Sequence, residues 1–356
     1  MGFLISYLSA HRTLPRVQRI TDTVARIGKS GVTNAIGAAG STSINPIMTA
    51  WISDYQKLHP KIHINYRSIG SGGGIDELKQ GMLEFAASAA PLRDDQVSDI
   101  IPMVQVPVTA GPVCVIYNLP SLKAPLKLSA ATVAAIYLGK IVSWQDPAIA
   151  RDNPGIKLPL APVIVTHRSD GSGTTYIFTS YLTKASSEWA RRAGQGLTVT
   201  WATGLSGDGS KRLVELVNQT PGTIGYAELN YARQNNLPVA SIQNGGGAFV
   251  VPSPSSTTAA IEAFSEALGK DSRSPIVDPP ASAKDAYSIC GMTFVLLRKD
   301  RADVQEQQAV KDFIAYAVSG GQDAAEGLFY AKLPVSLQQQ DQTLRGELTA
   351  NAQPLE

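Results

Sequence analysis

The stretch APVIVTHRSDGSGTTYIFTSYL, residues 161–182, holds the organisation of the whole chain in one unit. Ala161 to Thr166 is apolar and rich in β-branched residues, the composition of a strand. A loop of small and hydroxyl-bearing residues follows from Arg168 to Thr174, with Arg168 as its one cation. A helix is then predicted through Tyr176, Phe178 and Tyr181. The unit is therefore strand, small polar loop, helix, and the loop sits at the helix N-terminus.

Two more units of this kind lie upstream. Thr33 to Gly37 reads as a short strand running into the loop Ala38 to Ser43. Apolar residues then recur at Ile44, Ile47, Met48, Trp51, Ile52, Tyr55 and Leu58, the spacing of a helix with one buried face, and Pro60 stops it. Lys61 to Tyr66 alternates as a half-buried strand does. It leads into Gly70 to Gly74 and a helix carrying Ile75, Leu78 and Met82.

This placement has a chemical use. The first N–H groups of a helix lack intrahelical partners, and the helix dipole puts partial positive charge there. Small residues let a ligand reach the backbone, and Ser and Thr add hydroxyl donors, which together make an anion site. A single loop of this kind reads equally well as a capped helix start with glycine turns. Three of them, one carrying Arg168, favour anion binding. None has the G-x-x-x-x-G-K-[ST] phosphate loop of nucleotide enzymes, and the first two lack the dinucleotide fingerprint.

Composition narrows the field further. The 356 residues are 44% apolar, which allows a sizeable core, and 17% charged, below the usual figure of about 25%. Lys and Arg number 31 against 29 Asp and Glu, so the balance of +2 gives no footprint for a nucleic-acid partner. No apolar run is long enough for a transmembrane helix. The two cysteines, Cys114 and Cys290, exclude a disulfide framework and a structural zinc site but leave one disulfide possible.

Catalytic patterns are absent. His11, His59, His63 and His167 are scattered, and no C-x-x-C, H-E-x-x-H or G-x-S-x-G occurs. Asp94 and Asp95 read as acids at a helix start. Trp51, Trp144, Trp189 and Trp201 are spread as packing residues are. No cofactor or metal is expected, and the chain is read as a binding protein and not as an enzyme. Residues 1–33 are Arg-rich with one acid, Asp22, and are read as a tail that is either a targeting segment or the product of a misassigned start. The apolar run Phe3 to Leu8, broken by Ser6, is too short for a convincing signal peptide.

Several segments resemble the phosphate-binding proteins of bacterial phosphate ABC importers, the PstS family. They are IGAAGST (36–42) with Trp51, YRSIGSGG (66–73), FAASAAPL (85–92), and IYLGKI (136–141) with Trp144. RSDGSGTTYIFTSYL (168–182), PGTIGY (221–226), YARQNNL (231–237), MTFVLL (292–297) and YAKLP (330–334) complete the series. The resemblance implies a two-lobed α/β fold with a ligand cleft between lobes. After the tail, residues 34–112 would open lobe I, 113–288 would form lobe II, and 289–356 would return to lobe I. Strands crossing between lobes are expected near Ala110–Val115 and Ile289–Thr293, bringing Cys114 and Cys290 into one region.

The resemblance also implies roles. Thr42 and the Ser43 N–H would bind the anion from one helix start and Ser71 from a second. Arg168, oriented by Asp170, would supply the charge, and Ser172, Gly173 and Thr174 would close the shell. Gly72 and Gly171 would support it. The implied partners are inorganic phosphate and importer permease subunits, and the implied state is a monomer in the periplasm or cell envelope. Two positions depart from the family pattern. Ser43 stands where an aromatic is usual, and Ala89 stands where the family carries an aspartate that accepts the proton of hydrogen phosphate. With Ala89 three readings are open: another acceptor such as Ser88, Asp94 or a water, a sulfate or broader oxyanion receptor, or a role without transport.

Overall fold

The computed structural model describes residues 34–96 and 102–355. What was expected of residues 1–33 and of His11 lies outside that range. Eight strands form the main sheet: β1 (Asn34–Gly40), β2 (Ile62–Ser68), β3 (Phe85–Ser88), β4 (Met103–Tyr117), β5 (Ile164–Arg168), β6 (Leu205–Gly207), β7 (Thr223–Glu228) and β8 (Cys290–Arg298). Their spatial order is β2-β1-β3-β8-β4-β7-β5-β6. The helices that frame the site are α1 (Asn45–Leu58), α2 (Ser71–Lys79), α3 (Gly173–Ala185) and α4 (Gly209–Gln219). Two more, α5 (Val304–Ala317) and α6 (Val335–Gly346), come from the end of the chain.

Strand β4 explains how one sheet makes two lobes. Its first part, Met103 to Pro112, pairs antiparallel with β8. Its last part, Val113 to Tyr117, pairs antiparallel with β7. On one side β1 runs parallel to both β2 and β3, and on the other β5 runs parallel to β7 and β6. Parallel strands require crossover helices, so each side acquires its own helical layer, while the buried apolar residues of the two sides join in one continuous cluster. In the first lobe Trp51 and Tyr55 of α1 are buried, Tyr55 meets Phe313 of α5 edge-on at 5.3 Å, and the Trp51 indole donates to Gly321 O at 2.8 Å. In the second, Phe178 of α3 stacks on Tyr226 of β7 at 4.4 Å and meets Tyr137 at 4.7 Å.

Two local expectations need correction. Ala38, Ala39 and Gly40, expected in a loop, belong to β1. Gly72, Gly73 and Gly74, expected before a helix, lie inside α2, while Met82 falls beyond it and is exposed. The strand continues through Gly40 because Ala38, Ala39 and Gly40 pair with both β2 and β3, and the glycines at 40 and 74 answer to close approaches. A Cβ on Gly74 would come within 2.5 Å of Gly40 Cα, and one on Gly40 within 2.1 Å of Ala87 O. Only glycine lets α2 lie this close to β1, and Gly40 has a φ of +140° that favours glycine as well.

The cysteines are both free and buried. Burial pushes the Cys290 thiol up to about 12 and the Cys114 thiol well above its ordinary value, so neither is a reactive thiolate. His59 stacks on Tyr55 at 4.3 Å and His167 on Trp201 at 4.9 Å, and both act as packing residues. Among the described residues no helix is long and apolar enough to cross a membrane.

Asp341 of α6 is buried, and neither of its carboxyl oxygens has a hydrogen-bond partner among the described residues. Burial pushes its pKa up to about 8, against the pull of Arg345 one turn on. In the unfolded chain the group ionises near pH ~4. Between that pH and about 8 the folded protein therefore holds a proton that the unfolded chain has lost, and stability falls as pH rises. One such group contributes a slope of up to about 1.4 kcal/mol per pH unit. Asp341→Asn should remove most of that slope from urea unfolding curves taken between pH 5 and pH 8; an unchanged slope would assign the decline to other groups.

Candidate anion-binding site

Four helix starts meet between the lobes. Strand β1 delivers Thr42 and Ser43 to the start of α1, and β2 delivers Ser71 and Gly72 to the start of α2. From the second lobe, β5 ends in Arg168 and its loop opens α3 at Gly173. Strand β6 leads through Asp208 into α4, whose second residue is Ser210.

Contacts across the cleft are close. Gly72 donates its N–H to Gly171 O at 2.8 Å. The Ser210 hydroxyl lies 2.7 Å from that of Thr42, and the Tyr231 hydroxyl donates to Thr42 O at 2.9 Å. A Cβ on Gly173 would lie 2.6 Å from Ser71 Oγ and 2.9 Å from the Ala89 nitrogen. Ser71 Oγ accepts the Ala89 N–H at 3.3 Å. The structure thus brings Thr42, Ser71 and Gly72 against Gly171, Gly173 and Ser210 of the second lobe, while Ser43 bonds to Ser41 through its hydroxyl and accepts from Tyr330 through its carbonyl. Ser172 is the N-cap of α3, its hydroxyl accepting from Thr175 N at 3.1 Å. That leaves Gly173 and Thr174 at the positions whose N–H groups lack intrahelical partners.

Arg168 is the charged centre. Its side chain is buried and grips Asp170 with two parallel bonds, Nε to Oδ1 at 2.6 Å and Nη2 to Oδ2. Nη1 points away from that pair, toward Ser210 Oγ at 3.0 Å and Thr174 Oγ1 at 3.5 Å. Burial by itself would lower the pKa of the guanidinium; the Asp170 bonds and charge, with Glu228 adding to them, carry it above its ordinary value. For Asp170 burial works upward, and the Arg168 bonds and charge, with the Gly209 N–H, hold the carboxyl below its usual range. A fixed cation beside hydroxyls and unpaired helix N–H groups can take a compact anion with several oxygens.

A family model described as the PBP superfamily domain matches residues 27–320. The "Phosphate-binding protein PstS" of Xylella fastidiosa (strain 9a5c) is 37% identical over 306 residues, covering 86% of this chain and 83% of the relative. That of Methanocaldococcus jannaschii is 36% identical over 309 residues, covering 81% and 79%. This chain belongs to the PstS family. Solved structures agree on the fold. A high affinity periplasmic phosphate-binding protein (PfluDING) bound with phosphate matches with a TM-score of 0.69 at 18% identity, over 87% of this chain and 93% of that one. An ABC-type phosphate transport receptor from Vibrio cholerae matches with a TM-score of 0.55 at 18% identity, over 84% and 100%. The two-lobed α/β class read from the sequence is therefore the fold of this PstS-family chain.

Sequence reading passed over two residues that the structure brings against Arg168 and Thr174. Ser210 opens α4 in the segment Gly207 to Ser210, a fourth strand, small loop and helix unit whose three-residue strand is too short to stand out. Glu228 ends β7, every residue of which is buried. A carboxylate closing an otherwise buried strand, two residues after Tyr226 and so on the same face, was the available signal. Of the acceptors offered in place of an aspartate at position 89, Ser88 is engaged by its own turn, donating to Ala90 O at 2.6 Å. Asp94 is on the surface, paired with Arg273 at 2.6 Å.

Proposed function

We propose that this chain binds inorganic phosphate between its lobes and delivers it to the permease subunits of an ABC importer. The observation that carries the reading is the convergence of helix starts from both lobes on the buried Arg168. The names of the PstS relatives and the phosphate bound in a neighbour of the same fold support it. In this reading Thr42, the Ser43 N–H and Ser71 hold the anion from lobe I. Arg168, Ser172, Gly173 and Thr174 hold it from lobe II, with Asp170 orienting Arg168 and Gly72 and Gly171 allowing the close approach.

Lobe I comprises residues 34–112 and 289–356, and lobe II residues 113–288, with β4 and β8 as the crossing strands. The protein works as a monomeric receptor in the cell envelope and not as an enzyme. Calorimetric titration of the phosphate-stripped full chain tests this. Phosphate should bind at micromolar concentration or tighter, and sulfate should give no heat. Equal binding of both would make the chain a broader oxyanion receptor, and no binding of either would overturn the proposal. Turnover of an aryl phosphate ester would overturn the non-enzymatic part.

A further inference from the structure

The geometry points to Glu228 as the group that reads the proton on the bound anion, in the place that Ala89 leaves without an acceptor. The inference rests on the phosphate-receptor reading and names the residue that sets its selectivity. Glu228 is 7% exposed and lies at the centre of the site's hydrogen-bond network. One carboxylate oxygen accepts from the Thr174 hydroxyl, and the other accepts from the Ser210 hydroxyl at 3.0 Å. Those same hydroxyls are the neighbours of Arg168 Nη1, and Ser210 also touches Thr42. Glu228 also borders a cavity of about 20 Å³ that reaches Ser43, Thr293 and Tyr330. Through Thr174 and Ser210 it is thus one hydrogen bond removed from Arg168 Nη1, and through Ser210 from Thr42.

The charge balance gives Glu228 its meaning. Both oxygens of Asp170 are taken by Arg168, and Oδ1 also accepts the Gly209 N–H at 3.0 Å. One cation against the two carboxylates Asp170 and Glu228 leaves the site with one negative charge in excess. In surroundings this dry, a second anion with no proton to offer is repelled strongly. Hydrogen phosphate does carry a proton. Its P–OH can donate to Glu228 in a charge-assisted bond, while the Thr174 and Ser210 hydroxyls turn from Glu228 to the other phosphate oxygens. Sulfate, fully ionised at neutral pH, has nothing to donate. The Ala89 methyl, against Gly173, cannot accept a proton at all.

The test compares phosphate, sulfate and monofluorophosphate, a dianion close to hydrogen phosphate in size but lacking its proton at neutral pH. The full chain should bind phosphate and reject both other anions by about a hundredfold or more. Glu228→Gln, with folding checked by its melting curve, should narrow the gap between phosphate and sulfate by about tenfold or more. Glu228→Asp, which keeps the charge, should still exclude sulfate. An unchanged gap in folded Glu228→Gln would overturn the assignment and leave the receptor reading intact. Should Glu228→Gln not fold, the unmodified chain still decides: monofluorophosphate bound as tightly as phosphate overturns it. A full chain that binds no phosphate removes the receptor reading, and this inference with it.

Discussion

Arg168→Met should reduce phosphate affinity by about two to four orders of magnitude and lower the stability of the unliganded protein as well. The affinity loss follows from what Nη1 offers. It is the guanidinium nitrogen left over by Asp170, and a hydrogen bond from a charged donor is worth about 1.5–3 kcal/mol before the lost Coulomb attraction is counted. The stability loss follows from the partners. Asp170 is held below its usual pKa range largely by Arg168, and breaking a buried pair from one side costs about 3–5 kcal/mol. Arg168→Lys should recover charge but little affinity, because an ammonium cannot hold both Asp170 oxygens and still present a donor on the cleft side. Calorimetry for binding and urea unfolding for stability separate the two effects. Retained micromolar binding in Arg168→Met would remove Arg168 from the site.

Gly173→Ala should weaken binding by a comparable factor for a different reason. The added methyl would lie 2.6 Å from Ser71 Oγ, 2.7 Å from the Ala89 Cβ and 2.9 Å from the Ala89 nitrogen, all in the opposite lobe. Two of those three atoms are fixed to backbone, so the lobes cannot meet as they do here without shifting. None of the three atoms nearest the added methyl belongs to the second lobe. Position 173 is the first residue of α3, where alanine keeps the sign of its preference over glycine but less than the full interior value of about 1 kcal/mol. The unliganded variant should therefore melt at or slightly above the original temperature, while the rise in melting temperature on adding phosphate shrinks. A variant that closes normally and binds phosphate as before would show that the contact between Gly173 and Ala89 is not part of the bound state.

The sequence made the local parts of this arrangement readable and hid the distant ones. Arg168, Asp170 and the start of α3 lie within seven residues, so the anion chemistry is written in one loop. Trp51 and Tyr55 could be assigned to a buried face from spacing alone. Ser210 and Glu228 could not be placed that way, because their meaning comes from partners far along the chain. Thr42 and Ser210 are 168 positions apart, and Thr174 and Glu228 are 54 apart. The glycine run at 72–74 misled for a related reason. Glycine is a poor helix former by propensity, and only the nearness of β1, supplied by another part of the chain, makes it the residue that a helix needs there.

The shared sheet has a consequence for how the chain folds as it is made. Strands β3 and β4 both hydrogen-bond to β8, which spans Cys290–Arg298. The part of the molecule that begins first is thus completed almost last, after the whole second lobe has been synthesised. Pairings of such sequence separation form slowly, and until β8 arrives the inner edges of β3 and of the first part of β4 are open strand edges, the kind that pair with wrong neighbours. While the ribosome is still making the second lobe, the segment that ends with the first part of β4 is unfinished, and its open edges are exposed until Cys290–Arg298 has emerged.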